Sequence, residues 1–294
     1  MSDADLTGKT VLVTGAGQGL GRAYALDAAA AGAHVVVNDL SPDAAQLVVS
    51  NIESAGGAAL AAPGSVTDPE IVAGLIAECV RVFGRIDGLV NNAGVLVERH
   101  AWETTADQAR TMVEVNVLGT IYCGQAALAQ MREQGGTASI VNVTSGTHLG
   151  QPGLAVYGAT KGAVASLTYG WALELAGTGV RVNAISPLAV TPMKLPPHDG
   201  HAQPEDIAAV VRYLLSDASA FVTGQIVRRA RTELGIVRHP SIGTMLTGHW
   251  DVSAIEAAFE GRLREDLEPV GFGAHVLEPE ASLPISPTTA ATVQ

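Results

Sequence analysis

Tyr157 and Lys161, four positions apart in the segment YGATK, are the residues of this sequence best suited to acid–base chemistry. Side chains at positions i and i+4 share one face of a helix, so the spacing predicts an ammonium group beside a phenol. The pKa of a free tyrosine is about 10. An ammonium about 4 Å away contributes roughly 4 kcal/mol, or about three pKa units, at an effective dielectric of about 20. Such a phenol exchanges protons near neutral pH, although the same spacing also fits a packed tyrosine beside a solvated lysine.

A glycine-rich segment near the N-terminus, TGAGQGLGRAYAL from Thr14 to Leu26, follows the pattern T-G-x-x-x-G-x-G rather than G-x-G-x-x-G. Glycine lets the backbone turn tightly and approach a pyrophosphate. A helix that begins near Leu20 would present free N–H groups to the anion. The segment therefore predicts a dinucleotide site, although a tight strand-to-helix turn uses glycine in the same way.

An aspartate at the end of the second apolar run, Asp39 in HVVVNDL, lies 18 residues beyond Gly21. A carboxylate at this place accepts hydrogen bonds from ribose hydroxyls and repels a 2′-phosphate, which favours NAD over NADP. Arg22 could offer a cation to that phosphate and keeps NADP open as an alternative. Because DLSPD also reads as a turn, the residue could instead be a helix N-cap or turn aspartate.

These residues lie at the ends of short apolar runs that alternate with helical patterns. Continuous apolar runs are typical of strands buried on both faces, as in a parallel sheet. The sequence thus predicts an α/β, doubly wound Rossmann fold with a seven-stranded parallel sheet in the order 3-2-1-4-5-6-7. The predicted strands are KTVLVT, HVVVNDL, GAALAAPG, IDGLVNNAG, ASIVNVTSG, VRVNAISP and GQIVRR. The predicted helices are Leu20–Ala31, Pro42–Ala55, Pro69–Phe83, Ala106–Gln134, Tyr157–Ala176 and Glu205–Leu215.

Composition excludes several classes of protein. The 294 residues carry a net charge of −12 without a basic cluster, so nucleic acid is not an expected partner. Two cysteines, Cys79 and Cys123, have no C-x-x-C spacing, and neither a disulfide framework nor a metal site is expected. The N-terminus does not read as a signal peptide, and no apolar run is long enough to cross a membrane. We therefore expect a cytoplasmic protein without a membrane partner.

Five ordered motifs together resemble the short-chain dehydrogenase/reductase family over about residues 6–227. They are the glycine-rich pattern, NNAG at 91–94, Asn116 in VEVNVLG, Ser145 after IVNVT, and YGATK. Within the family, TGAGQGLGRAYAL and VVVNDL look most like the dehydrogenase region of peroxisomal multifunctional β-oxidation enzymes and their bacterial relatives.

The resemblance implies a role for each of four residues. Tyr157 would be the acid/base, and Lys161 would lower its pKa and hold the nicotinamide ribose. Ser145 would hydrogen-bond the substrate oxygen, and Asn116 would anchor a water that links Lys161 to solvent. The implied cofactor contacts are Gly15, Gly17, Gln18, Gly19, Leu20, Gly21, Asp39, Leu40, Ser65, Val66, Asn92, Ala93, Gly94, Tyr157, Lys161, Pro187, Val190 and Thr191. No metal is implied.

The sequence departs from the family pattern at several places. Ser145 lies 12 residues before Tyr157, where the family usually shows 13 and this chain has Thr144. We expect Ser145 to be the functional residue because it ends the predicted strand. Ser65-Val66 replaces the usual D-V, so the adenine could be met by Ser65, by Asp68 or by backbone. The segment after Thr191 is short and proline-rich, and RRARTEL replaces the usual end of strand seven.

The resemblance implies an NAD-dependent secondary-alcohol dehydrogenase or ketone reductase. The substrate could be a 3-hydroxyacyl thioester or a bulky alicyclic or steroid alcohol. Alternatives are an NADPH-dependent biosynthetic ketoreductase and a catalytically silent nucleotide-sensing protein. A homodimer or homotetramer is expected, because the predicted helices Ala106–Gln134 and Tyr157–Ala176 carry more apolar residues than are needed for the helix face that packs on the sheet. These residues are Val113, Val117, Leu118, Leu128, Leu167 and Trp171.

The C-terminal part is expected to differ from the rest. We predict one domain over residues 1–230 and an extension over 231–294, with a single helix, Val252–Leu263, and a flexible tail. Asp251 or Ser253 could cap this helix. Its apolar face, Ile255, Ala258, Phe259 and Leu263, should be buried. We expect the extension, with Pro197 and His198, to form a wall of the substrate site in its own or a partner subunit, unless the helix packs on the back of the domain.

Overall fold

The central sheet of the computed structural model, which describes residues 4–189, 202–272 and 275–279, has eight strands in the order 3-2-1-4-5-6-7-8. Neighbouring strands among the first seven pair in parallel, so the predicted fold class and strand order are confirmed. The strands are β1 (Thr10–Val13), β2 (His34–Val37), β3 (Ala58–Ala61), β4 (Gly88–Asn91), β5 (Ala138–Val143), β6 (Val180–Leu188), β7 (Ile226–Ala230) and β8 (Glu233–Val237).

Strand β8 corrects the prediction of a seven-stranded sheet. It pairs antiparallel with β7 through a two-residue turn, Arg231–Thr232, in which Arg231 has a φ of 32°. Two-residue hairpin turns usually carry Asn-Gly or Asp-Gly because such turns need positive φ angles. Arg-Thr gives no such signal, so the hairpin could not be read from the sequence. The predicted boundary at 230/231 falls at this turn, and the first segment of the extension belongs to the sheet.

Helices cover both faces of the sheet. Their bounds are α1 (Gly19–Ala30), α2 (Pro42–Ser54), α3 (Pro69–Phe83), α4 (Ala106–Val113), α5 (Gly119–Gln134), α6 (Ala155–Glu174), α7 (Pro204–Leu215) and α8 (Val252–Glu260). One core lies under α1, α2 and α7, and the other under α3, α5 and α6. Burial on both faces explains the continuous apolar strands. No helix in the described ranges is long and apolar enough to cross a membrane.

The predicted helix Ala106–Gln134 is interrupted by one π-helical turn, Glu114–Leu118. Asn116 lies within this turn and is completely buried. A π turn inserts one extra residue into the helical repeat and often marks a functional position. Asn116 is therefore located at a local change of helical geometry.

The C-terminal extension differs in part from the prediction. Helix α8 is capped by Asp251, as predicted, but it ends at Glu260 because Gly261 follows, and a 3₁₀ turn takes over at Arg262–Asp266. Its apolar face is not buried in the single chain: Ile255 is 44% exposed and Phe259 is 50% exposed. An antiparallel pair that was not predicted follows, β9 (Val270–Phe272) with β10 (His275–Leu277), and β9 packs against the turn Gly146–Leu149.

Candidate active site

The segment NNAG is bound to the start of the glycine-rich loop. The Asn92 side chain donates from Nδ2 to the carbonyl oxygens of Thr14, at 2.9 Å, and Gly15, at 3.0 Å. The Thr14 hydroxyl accepts the backbone N–H groups of Asn92 and Ala93, both at 3.0 Å. Parallel strands β1 and β4 are neighbours, so their carboxyl ends meet here. Thr14 was not among the predicted contacts, although it is the first residue of the glycine-rich pattern.

Three glycines of this loop have no room for a side chain. Gly15 has a φ of +61°, and a Cβ there would lie 2.8 Å from the Ala93 Cα. A Cβ on Gly17 would lie 2.8 Å from the Asp39 carboxylate, and one on Gly21 would collide with the Gly15 carbonyl. Helix α1 begins at Gly19, and no side chain caps its first N–H groups. These donors remain for an external anion, so the loop fits a pyrophosphate.

Asp39 lies directly against the glycine-rich loop. Its Oδ2 accepts the Gly17 N–H at 2.8 Å, and its Oδ1 accepts the Ser41 N–H at 3.0 Å. Ser41, not Asp39, is the N-cap of α2, since its hydroxyl accepts the Ala44 N–H. Asp39 is therefore not the helix N-cap, but its bond to the N–H two residues on makes it a turn aspartate, as the alternative interpretation expected. Its contact with a ribose stays a prediction. The neighbouring Leu40 is largely exposed.

The segment predicted beside the adenine contains three different environments. The Ser65 hydroxyl bonds to the Thr67 hydroxyl at 2.8 Å. Val66 is buried against α5, where a Cβ on Gly119 would come within 2.6 Å of it. Asp68 caps α3 by accepting the N–H groups of the first turn. The Ser65 hydroxyl also accepts the Thr67 N–H, and Asp68 uses only Oδ1 for the cap, so the adenine contact stays a prediction with Ser65, Asp68 and backbone all open.

Tyr157 and Lys161 lie together near the start of α6, with exposures of 8% and 4%. The Lys161 Nζ lies 5.7 Å from the centroid of the Tyr157 ring and donates to the Val143 carbonyl at 2.8 Å. Burial raises the pKa of Tyr157 to about 12, against the lowering effect of a hydrogen bond with Ser145. Burial lowers the pKa of Lys161 to about 8.

The expectation that Lys161 brings the pKa of Tyr157 towards neutrality is thus wrong for the chain by itself. Removing both groups from water disfavours each charged form. In addition, the ammonium is directed at a backbone carbonyl and not at the phenol oxygen.

Thr144 and Ser145 have different hydrogen-bond partners, although the number of residues before Tyr157 would allow either to be the functional hydroxyl. Thr144 is buried and donates to the Lys161 carbonyl at 2.8 Å. Ser145 follows the end of β5, hydrogen-bonds Tyr157, and accepts the Thr147 N–H at 3.3 Å. The threonine hydroxyl is used in the fold, which leaves Ser145 beside the phenol.

Asn116 fixes the loop after NNAG to helix α6. Its Oδ1 accepts the Val95 N–H at 2.8 Å, and its Nδ2 donates to the Val95 carbonyl at 2.9 Å and to the Thr160 hydroxyl at 3.0 Å. Thr160 in turn donates to the Tyr157 carbonyl at 2.7 Å. Both amide hydrogens of Asn116 are therefore used within the protein. The implied role of Asn116 in anchoring a water stays a prediction.

The structure describes some of the remaining predicted cofactor contacts and not others. Gly94 lies close to Asn116 and Lys161, since a Cβ there would be 3.2 Å from the Asn116 Oδ1 and 3.6 Å from the Lys161 Nζ. Pro187 lies in β6, opposite Arg229 of β7. Val190, Thr191, Pro197 and His198 lie outside the described residues. Within the described residues, no group of His, Cys, Asp or Glu could hold a metal ion.

Comparisons with known proteins agree with this arrangement. The sequence profile of the short chain dehydrogenase family matches residues 9–196. The chain is 35% identical over 237 residues to a 3-oxoacyl-[acyl-carrier-protein] reductase of Thermotoga maritima, covering 76% of this chain and 96% of that protein. It is 35% identical over 228 residues to a cyclohexanol dehydrogenase of an Acinetobacter species, covering 74% and 91%.

A solved structure also resembles the chain beyond the segment that the family profile matches. A short chain dehydrogenase from Mycobacterium avium aligns with a TM-score of 0.84 at 33% identity, covering 92% of this chain and 99% of that chain. The alignment therefore includes much of the C-terminal extension. The narrower likeness to peroxisomal multifunctional enzymes stays a prediction.

Proposed function

The chain belongs to the short-chain dehydrogenase family and is an oxidoreductase of the dehydrogenase/ketoreductase class, and from this premise we propose that it interconverts a secondary alcohol and a ketone with NAD(H). One observation carries the proposal. Ser145, Tyr157 and Lys161 lie together at the carboxyl edge of the sheet, where Tyr157 and Lys161 are buried and Ser145 is half-buried. The glycine-rich loop, with its uncapped helix, lies at the same edge.

The residues around the glycine-rich loop fit a nicotinamide dinucleotide. Gly15, Gly17 and Gly21 keep side chains out of the loop, and the first N–H groups of α1 can bind the diphosphate. Asp39 offers acceptors for ribose hydroxyls, which favours NAD over NADP. The chemistry that such a cofactor supplies when bound is the acceptance or donation of a hydride.

The chain's own residues would handle the proton. In alcohol oxidation the Tyr157 oxygen takes the hydroxyl proton, and in ketone reduction it returns that proton to the carbonyl oxygen. Ser145 would donate a hydrogen bond to the same substrate oxygen. Lys161 is fixed in place by its bond to the Val143 carbonyl, and its ammonium would hold the nicotinamide ribose. Burial of the pair keeps water away from the reacting oxygen.

Two substrate classes have specific support. The similarity to a cyclohexanol dehydrogenase favours an alicyclic alcohol, and the similarity to a 3-oxoacyl-[acyl-carrier-protein] reductase favours a 3-hydroxyacyl or 3-oxoacyl thioester. The second similarity also supports the alternative of an NADPH-dependent ketoreductase. A catalytically silent nucleotide sensor has less support, because Tyr157 and Lys161 are both in place beside Ser145.

The test is a panel of alicyclic alcohols and 3-hydroxyacyl thioesters, each assayed with NAD⁺ and NADP⁺ by nicotinamide absorbance. We expect turnover of at least one class, with NAD⁺ preferred. Tyr157→Phe should reduce the rate to no more than a few per cent of wild type and still bind NADH, because only the proton-transferring hydroxyl is removed. Rapid turnover by Tyr157→Phe would assign the proton transfer to another residue, and absence of turnover across the panel would count against the proposal.

A further inference from the structure

The C-terminal strand β9 reaches the turn that follows Ser145. A Cβ on Gly146 would lie 2.9 Å from Cζ and 3.0 Å from Cε2 of the Phe272 ring. One turn further on, a Cβ on Gly150 would lie 3.5 Å from the Gly271 backbone. Two glycines of the Ser145 region thus face two consecutive residues of β9. The approach is close because neither glycine has a side chain.

Arg228 of β7 reaches the same turn from the sheet. A Cβ on Gly146 would lie 2.7 Å from the Arg228 Nη1. This nitrogen donates to the Ser186 hydroxyl at 3.2 Å, and Ser186 is completely buried in β6. The guanidinium carbon lies 5.4 Å from the centroid of the Phe272 ring, within the range of a cation–π contact. Arg228 therefore connects β6, the Gly146–Leu149 turn and the C-terminal extension.

This contact bears on a residue that must be precisely oriented. Ser145 is the N-cap of the turn Gly146–Leu149, and its hydroxyl accepts the Thr147 N–H. A displacement of the turn would therefore move the hydroxyl relative to Tyr157. Supporting side chains that fix such a residue can matter greatly, since a displacement of about 1 Å can cost about 100-fold in rate.

On the basis of the proposed function, we propose that Phe272 and Arg228 are positioning residues that hold the Gly146–Leu149 turn, so that the C-terminal extension sets the place of the Ser145 hydroxyl in its own subunit. The apolar face of α8 takes no part in this contact. Among the described residues, the part of the extension that contacts the Gly146–Leu149 turn is β9. The predicted place of the α8 face in a wall of the substrate site, in its own or a partner subunit, stays a prediction.

The test compares two positioning variants with two matched controls in the full-length protein. Phe272→Leu removes the ring, and Arg228→Met removes the charge while keeping much of the length of the side chain. Phe221→Leu removes an aromatic ring that is 84% exposed. Arg229→Met removes a guanidinium from the next position of β7, where the side chain bonds to the carbonyls of Ala230, Arg231 and Glu233 and not to Ser186.

We expect Phe272→Leu and Arg228→Met to lower kcat about tenfold, with the Kd for NADH within about twofold of wild type. Arg228→Lys should recover most of the rate because an ammonium can bond Ser186 and face the ring. Both controls should keep the wild-type kcat. A merely structural role would lower thermal stability and the amount of active protein but would leave kcat per active site, counted by NADH binding, unchanged.

A Ser145→Ala background gives the second measurement. If Phe272 acts through Ser145, Phe272→Leu should lower the residual kcat of Ser145→Ala by less than about twofold, because the group that it positions is gone. Equal effects in both backgrounds, or a wild-type kcat for Phe272→Leu, would overturn the inference. A wild-type protein that is inactive with every alcohol and both cofactors would instead overturn the proposed function.

Discussion

The Thr144 hydroxyl donates to the Lys161 carbonyl at 2.8 Å, so the residue before Ser145 is bound to the helix that carries Tyr157. Strand β5 and helix α6 are thereby connected at the point where both contribute to the candidate site. The bond also distinguishes two adjacent hydroxyl residues that sequence spacing leaves equivalent.

Thr144 and Ser145 should therefore respond differently to substitution. Thr144→Val removes one buried hydrogen bond, while the Lys161 carbonyl keeps its bond within α6, and should lower the free energy of unfolding by about 1 kcal/mol. Ser145→Ala should leave stability nearly unchanged and reduce kcat by about 100-fold. Urea unfolding and steady-state kinetics on both variants check this. The reverse pattern, with catalysis lost in Thr144→Val and retained in Ser145→Ala, would assign the substrate contact to Thr144.

Lys161 should lower the stability of the cofactor-free protein near neutral pH. Its pKa is about 8 in the folded chain and 10.5 in its ordinary state, so burying the charged form costs on the order of 3 kcal/mol below pH 8. The bond to Val143 recovers roughly 1 kcal/mol. Lys161→Met should therefore raise the free energy of unfolding at pH 7 by about 2 kcal/mol.

The difference between Lys161→Met and wild type should shrink as the pH rises from about 8 to about 10.5. In that range the unfolded lysine still holds a proton that the folded one has lost, so wild-type stability rises with pH. The opposite change at Tyr157, whose pKa is raised by burial, is shared by both proteins and cancels. Denaturant unfolding without cofactor at pH 7 and pH 10 measures this, and an advantage that stays constant with pH would contradict it.

Asp39→Ala should reduce the preference for NAD⁺. The substitution removes acceptors for the ribose and the bond that places Gly17. We expect kcat/KM for NAD⁺ to fall about 10- to 100-fold, while kcat/KM for NADP⁺ falls less because a repulsive charge is also removed. Asp43→Ala, in the first turn of α2, is the control for loss of a nearby carboxylate. Equal use of NADP⁺ and NAD⁺ by the wild-type protein would refute the assignment.

The outer surface of α5 and α6 is the expected contact between subunits. A shallow cavity of about 340 Å³ lies between these two helices, and Val117, Ile121 and Leu167 line it. A second shallow cavity, of about 370 Å³, lies near the N-terminus and away from this surface. Trp171 also lines the cavity between the two helices, although most of its side chain is buried against Gly124. Light scattering should show a dimer or tetramer at micromolar concentration.

Ile121→Glu should reduce that mass, because a charge would be buried at the interface. Leu47→Glu, at an exposed position of α2, should not change it. A monomeric wild-type protein would count against the predicted assembly.

Several features of this protein are encoded by local sequence patterns. Alternating apolar runs and helical patterns fix the parallel sheet and its strand order, because each strand–helix–strand unit is specified by neighbouring residues. The glycines of the first turn, Asp39 at the end of β2, and the Tyr157–Lys161 spacing are recognisable for the same reason. Each of these signals lies within one short segment of chain.

Contacts between residues that are distant in the sequence depend on how the strands and helices pack. The Thr144 hydroxyl bonds to α6, and this bond leaves Ser145 as the hydroxyl beside Tyr157. The position of Asn116 is likewise set by its bonds to Val95 and Thr160. The approach of Phe272 and Arg228 to Gly146 depended on where β7 and β9 end in space. No local periodicity encodes such contacts, because these side chains are brought together only by the packing of whole strands and helices.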